Sequence, residues 1–195
     1  MMVNLDHKNI VKLISIHPAN TKIIMEYMKG GNLANVIYNK KNLSLYFKIY
    51  CLFEICEGLK FLHDKNIIHG DLKSLNILLD KKYDGGDDYP ILKLSDFGLS
   101  GIKEDICPGE TPGFSAPELY ETNKKNRTIK ADIYSLGVVI YEIFKGESPK
   151  KYIKKDNEIK RKFYPLPDIK EENWPEEIKE IILDCCKKIM KKGQL

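Results

Sequence analysis

Residues 66–80 read NIIHGDLKSLNILLD. A polar centre of His69, Asp71, Lys73 and Asn76 stands between two apolar pieces, so the stretch reads as a loop entering a short strand. Asp71 is a group that can take a proton from a hydroxyl. Asn76, five residues on, comes round the same loop with an amide oxygen suited to a hard cation. An acid and an amide at this spacing suit chemistry beside a phosphate. A lone Asp in a loop is more often a turn or cap residue, so the surrounding chain decides the reading.

Downstream, the turn-like YDGGDDYP (83–90) leads into a returning strand, ILKLSDFG (91–98), and residues 99–128 are loop-like, rich in Gly, Pro, Ser and Thr. YDGGDD lacks the twelve-residue ligand pattern of a calcium loop and reads as a solvated turn. ADIYSLGVVIYEIF (131–144) is apolar on nearly every face, which predicts a buried central helix. The run at 150–162, KKYIKKDNEIKRK, is a solvated charge run. WPEEIKEIILDCCKKIM (174–190) is amphipathic, with Pro175 in the first turn and Glu176 and Glu177 suiting the N-terminal dipole. Upstream, 10–16 and 22–27 read as two strands joined by HPAN, and KGGN ends the second. Ser44 is a plausible N-cap of a long helix whose Leu52, Ile55, Cys56, Leu59 and Leu62 share one face. A few strands followed by mostly helix predicts an α+β fold.

The 195 residues suffice for one sizeable core, and 43% hydrophobic with 31% charged is ordinary for a globular chain. Thirty of the 32 basic residues are lysines, scattered among Asn, Ile and Glu, and the net charge is only +4. No basic stripe for nucleic acid is evident. The five cysteines (51, 56, 107, 185 and 186) are odd in number and form no C-x-x-C pair. Reduced thiols are therefore expected, with Cys51 and Cys56 as small core residues. No secretory h-region and no apolar run near the roughly 18 residues of a spanning helix occurs, so a cytoplasmic location is expected.

Taken in order, His69-Gly70-Asp71-Leu72-Lys73-Ser74-Leu75-Asn76, Asp96-Phe97-Gly98 and Ala116-Pro117-Glu118 resemble the eukaryotic-type protein kinase pattern H-R-D-L-x-x-x-N, D-F-G, A-P-E. Each piece alone is weak; together, in this order, they are specific. The resemblance implies a protein-kinase-like fold, a mostly helical C-lobe with the last strands of the N-lobe. Over 1–195 it implies a partial kinase domain, with 1–28 as remnant of the N-lobe and hinge and 29–195 as C-lobe. It implies ATP and Mg²⁺ as cofactors, and a protein substrate. Asp71 would be the base and Lys73 would neutralise charge on the moving phosphate, while Asn76 and Asp96 would hold the metal. Met25 would be the gatekeeper, the Glu26 and Met28 backbones would meet the adenine edge, and Leu78 would lie beneath it. Asp132 would cap the catalytic-loop backbone. Lys73 and TPGFSAPE, with Thr111 shaping the substrate pocket, resemble Ser/Thr-directed kinases, particularly the tyrosine-kinase-like branch.

Gly70 stands where the pattern has Arg. H-G-D-x-x-x-x-N is the usual form in aminoglycoside- and choline-kinase-like enzymes, a rival that D-F-G, A-P-E and the helix behind them disfavour. Without an Arg here, activity is expected not to depend on phosphorylation between Asp96 and Glu118, and Ser100→Ala is expected to leave the rate unchanged. No G-x-G-x-x-G and no V-A-x-K occurs anywhere. By the resemblance both ends look cut, and the chain alone is expected to bind ATP weakly and to transfer phosphate undetectably. A kinase-like binding module that regulates partners without transferring phosphate is the alternative from a different class.

Overall fold

The computed structural model describes residues 5–17, 22–40, 42–96, 113–116, 119, 128–149, 169 and 172–187. The chain divides into two compact units: Met1–Lys65 with Ser74–Asp96, and Asn66–Lys73 with Phe97–Leu195.

In the first unit, β1 (Leu13–His17) and β2 (Lys22–Met25) form an antiparallel pair. A strand from residue 10 was expected, but β1 begins three residues later. Ile10 instead bridges Leu94, and the Val11 amide donates to the Leu94 carbonyl at 2.9 Å. Those residues therefore pair with the strand that leads to Asp96. A second sheet runs β3 (Gly31–Asn32), β4 (Ile77–Leu79), β5 (Leu92–Leu94) in that spatial order, all antiparallel.

Helix α1 (Leu33–Asn39) starts where the Asn32 side chain accepts the Asn35 amide at 2.9 Å, and it buries Leu33, Ala34, Val36 and Ile37. Helix α2 (Leu45–Asp64) starts at the expected cap: Ser44 Oγ accepts the Phe47 amide at 3.1 Å. Its buried seam includes Phe47, Cys51, Ile55, Gly58, Leu59 and Leu62. Cys56, expected in that core, is exposed, because the seam is centred on Cys51 and Ile55 rather than one residue round the helix.

The seam also carries a charge. Glu54 is 3% exposed, and its carboxylate accepts from Lys8 Nζ at 2.8 Å and Asn9 Nδ2 at 2.7 Å. Asn9 Nδ2 donates again to the Leu92 carbonyl at 2.8 Å, and the Leu94 amide donates to the Asn9 carbonyl at 2.8 Å. Asn9 thus bolts β5 to α2. Gly58 allows the approach, since a Cβ there would stand 2.9 Å from the Asn9 oxygen.

The turn between β4 and β5 is less loose than a solvated turn. Asp80 Oδ1 accepts the Ile91 amide at 2.8 Å, and Tyr83 is buried, stacked on Phe47 with ring centroids 3.8 Å apart. Tyr89 meets Phe47 edge-on at 5.4 Å. Only the acidic tip, with Asp84, Asp87 and Asp88, stands in solvent as expected.

In the second unit, the central helix α3 (Ile129–Lys145) buries nearly every residue from Ala131 to Phe144, as its all-round apolar sequence requires. Thr128 caps its start, and Gly146, at φ 74°, ends it in the left-handed conformation with its amide on the Glu142 carbonyl. Helix α4 (Glu176–Lys187) packs on α3. Pro175 sits just outside rather than within the first turn, its carbonyl accepting the Ile178 amide at 3.1 Å. Gly137 makes the packing close: a Cβ there would lie 2.7 Å from Cys185 Cβ. Among the described residues, no helix is long and apolar enough to cross a membrane.

Candidate active site

The proposed base sits on a loop held by one carboxylate. Asp132, in the first turn of α3 and 1% exposed, accepts the His69 amide on Oδ2 at 2.8 Å and the Gly70 amide on Oδ1 at 2.9 Å. Burying a charge is costly unless it is compensated. Here two N–H donors and the positive end of the helix dipole compensate it. The capped helix start fixes Asp132, and Asp132 fixes the loop.

That loop turns sharply. Gly70 has φ 79°, and Asn66 has φ 57°. The left-handed region is open to Gly at no steric cost and tolerable for Asn. The departure from the Arg of the family pattern thus has a local structural correlate: the residue between His69 and Asp71 occupies a conformation that favours Gly. Just beyond it, the Asp71 amide donates to His69 Nδ1 at 3.3 Å, and Lys73 Nζ lies 2.6 Å from Asp71 Oδ2. Both side chains are mostly shielded, Asp71 being 10% and Lys73 16% exposed. The structure therefore brings these two sequence-predicted residues together.

The other residues of the reading belong to the first unit. Asn76 closes a 3₁₀ turn (Ser74–Asn76) and is buried. Its carbonyl accepts both the amide of Ser95 at 2.8 Å and its hydroxyl at 2.9 Å. Because Ile77 pairs with Leu94, Asn76 faces Ser95 across the hairpin, and Asp96 is the next residue. Asp96 is exposed and has φ 59°, a conformation that Asp visits more readily than most side chains. Asn76 and Asp96 thus stand at one end of the β4–β5 hairpin. Leu78, half-buried on β4, faces Asn32 on one side and Lys93 on the other.

Between β2 and β3, Met25 is 47% exposed, while Met28 is buried. The Glu26 amide donates to the Lys12 carbonyl at 3.0 Å, the Gly31 amide to the Met28 carbonyl at 3.3 Å, and the Gly30 amide to the Leu79 carbonyl at 2.9 Å. The Glu26 side chain, which sequence reasoning passed over, is a hub. It accepts Lys93 Nζ on both oxygens, at 2.7 and 2.9 Å, and the Lys12 amide at 2.7 Å. Partial burial works to raise its pKa, but the bonds from Lys93 and the Lys12 amide outweigh this and hold it below its ordinary 4.5. The sequence offers one hint of Lys93: it is the polar residue between the buried Leu92 and Leu94 of β5. Its partner, 67 positions away, could not be guessed.

Ala116 is buried. Phe97, Gly98, Ser100, Thr111, Pro117 and Glu118 lie outside the described residues.

Asn76 and Asp96 offer one amide and one carboxylate oxygen. Mg²⁺ wants about six oxygens and usually keeps water and phosphate in its shell, so this donor pair fits an ion delivered with a nucleotide.

Comparison with known families matches residues 1–194 to the protein kinase domain. Over 156 residues, 75% of this chain, it is 35% identical to serine/threonine-protein kinase atg1 of Dictyostelium discoideum, of which that stretch is 22%. It is 36% identical over 158 residues to the ovarian-specific serine/threonine-protein kinase Lok of Drosophila melanogaster, covering 76% of this chain and 32% of Lok. With serine/threonine-protein kinase STY46 of Arabidopsis thaliana it shares 32% over 163 residues, 78% of this chain and 26% of that protein. The chain thus spans about a third or less of the length of these relatives. Protein kinases in general use ATP and Mg²⁺ and act on proteins. Of the two families that the H-G-D sequence allows, the match over nearly the whole chain decides: the chain belongs to the protein kinase domain family.

Proposed function

We propose that this chain is the part of a serine/threonine protein kinase that carries the catalytic loop and the metal-binding residues. The observation that carries the reading is the twofold grip of Asp132 on the His69 and Gly70 amides, which presents Asp71 already paired with Lys73. In the reaction the γ-phosphoryl group passes from ATP to a Ser or Thr oxygen. The hydroxyl proton goes to Asp71, and ADP leaves. Phosphoryl transfer relies on positioning and charge neutralisation more than on covalent chemistry. A loop fixed at its backbone and a base fixed by an ion pair supply the positioning. Lys73 neutralises charge as the phosphoryl group arrives. Asn76 and Asp96 would hold Mg²⁺, which would supply charge neutralisation to the ATP phosphates. For adenine, the Glu26 amide and the Met28 carbonyl are already engaged by the chain itself. Among the described residues, the groups that remain to be offered are the Glu26 carbonyl and the Met28 amide, one acceptor and one donor. They complement the amino group and ring nitrogen of the purine edge, with Leu78 beneath.

The test is a kinase assay on the full-length protein with Mg-ATP and a generic Ser/Thr peptide. Asp71→Asn is expected to lower turnover by at least about a hundredfold, the usual worth of a positioned base, with nucleotide still bound. Asp96→Asn is expected to abolish Mg²⁺-dependent nucleotide binding. Undiminished turnover in both variants would overturn the assignment.

A further inference from the structure

The tie between Glu26 and Lys93 has no part in the chemistry just described, and its placement is specific. Glu26 is one of the two residues whose backbones are proposed to meet the adenine, and its carboxylate is held by two bonds from Lys93 and one from the Lys12 amide. Its own amide is bonded to the Lys12 carbonyl. Residue 26 is thus clamped at its amide and its side chain together, on either side of the Cα that carries its carbonyl. At the other end, Lys93 is the direct strand neighbour of Leu78 and lies three residues before Asp96. Its side chain is 16% exposed and that of Glu26 28%. The pair is therefore better shielded than a surface ion pair, which typically contributes little.

We propose that Lys93 is a positioning residue which, through Glu26, aims the hinge carbonyl at the purine and so sets nucleotide affinity and the preference for adenine over guanine. This rests on the purine-binding reading above. Without Lys93 the Glu26 carboxylate keeps only the Lys12 amide, and the peptide after Glu26 gains freedom to rotate. A hinge carbonyl that can turn away discriminates less between a purine that presents an amino group and one that presents an oxygen.

The experiment measures Kd for Mg-ATP and Mg-GTP by calorimetry, beside KM and kcat, in the full-length protein. Lys93→Met is expected to weaken ATP binding and raise its KM about three- to tenfold, with a smaller effect on kcat, the size of one partly shielded charge-assisted tie. The ratio of GTP to ATP affinity should move towards one. Lys93→Arg should restore both, and Glu26→Gln with Lys93→Met together should cost no more than the worse single change, because the two share one interaction. Lowered thermal stability with unchanged ATP affinity and unchanged ATP/GTP ratio would overturn the proposal and leave the pair a structural tie. Asp96→Asn serves as the control. If it abolishes nucleotide binding while Lys93→Met does not alter it, the inference fails alone. If the wild-type protein binds no nucleotide, the active-site reading fails and this one with it.

Discussion

The loop that carries Asp71 and the hairpin end that carries Asp96 are held in different ways. In the loop, the bonds from two successive amides, His69 and Gly70, converge on the Asp132 carboxylate. The hairpin end is held by many small ties. Strand pairing, the Ser95 bonds to Asn76, the Asn9 bridge to Leu92 and the Lys93 bonds to Glu26 all contribute. A concentrated hold is steeply sensitive to one substitution, whereas a distributed one yields gradually. The contrast suits the tasks proposed for them. A base needs one fixed orientation, while a metal ligand at an exposed strand end can adjust to the ion and the phosphates that it meets.

The largest break in this contrast should come from Asp132→Ala. It leaves two amide donors without their acceptor beside a buried helix start, so unfolding stability should fall by about 2–4 kcal/mol. Turnover should fall more than nucleotide affinity. Urea unfolding with steady-state kinetics reads both, and a loss under about 1 kcal/mol would mean that the loop too is held in a distributed way.

Glu54→Ala should cost less, about 1–3 kcal/mol, because it orphans the Asn9 amide at one of its two bonds but leaves the bond to Leu92. Its ion-pair partner is half exposed and can rehydrate. Lys8→Met alone should therefore stay within about 1 kcal/mol. Equal losses in the two variants would contradict the view that the Asn9 bridge, rather than the ion pair, is what holds β5.

Gly70→Ala places a side chain in the left-handed region at φ 79°. A loss of about 1 kcal/mol is expected, seen as a lower urea midpoint at unchanged slope. No loss would mean that the loop relaxes despite Asp132, and the idea of a rigid grip would weaken.

The smallest effect is a pH dependence. The folded-state pKa of Glu26 is lowered, so the stability that its bonds contribute is fully present above the ordinary value of 4.5. It is lost as pH falls through the lower folded value. Between pH 7 and 5.5 the stability difference between wild type and Glu26→Gln should be constant, and it should shrink below about pH 4.5. A difference that shrinks already near pH 6 would show that the carboxylate is not held as described.

Local patterns carried well. Ser44 capped α2 as expected, because an N-cap needs only a side-chain oxygen and the amide three residues on. Helix α3 lies where an all-round apolar run must, and Asp71 meets Lys73 two residues away on one loop. The role of Asp132 was legible only through resemblance, since 62 and 63 positions separate it from its partners. Where expectation and structure part, a longer-range demand won. Ile10 and Val11 left β1 to pair with Leu94, and Tyr83 tied down a turn that its polar composition marked as free.

The sequence by itself determined the family, the two long helices flanking the catalytic motifs and the residues proposed to bear the chemistry. Each depends on spacings within a few residues, set by helix period, strand alternation and the reach of a side chain to its own backbone. Only the tertiary structure decided what holds those residues still. Glu26 with Lys93, and Asn9 with Glu54 and Leu92, meet across 67, 45 and 83 positions. Its place between Leu92 and Leu94 sets Lys93 apart, but nothing local names the carboxylate it meets. A charge on a strand acquires a partner only when chain folding brings an opposite charge to a partly shielded place, where the pairing outweighs the cost of leaving water.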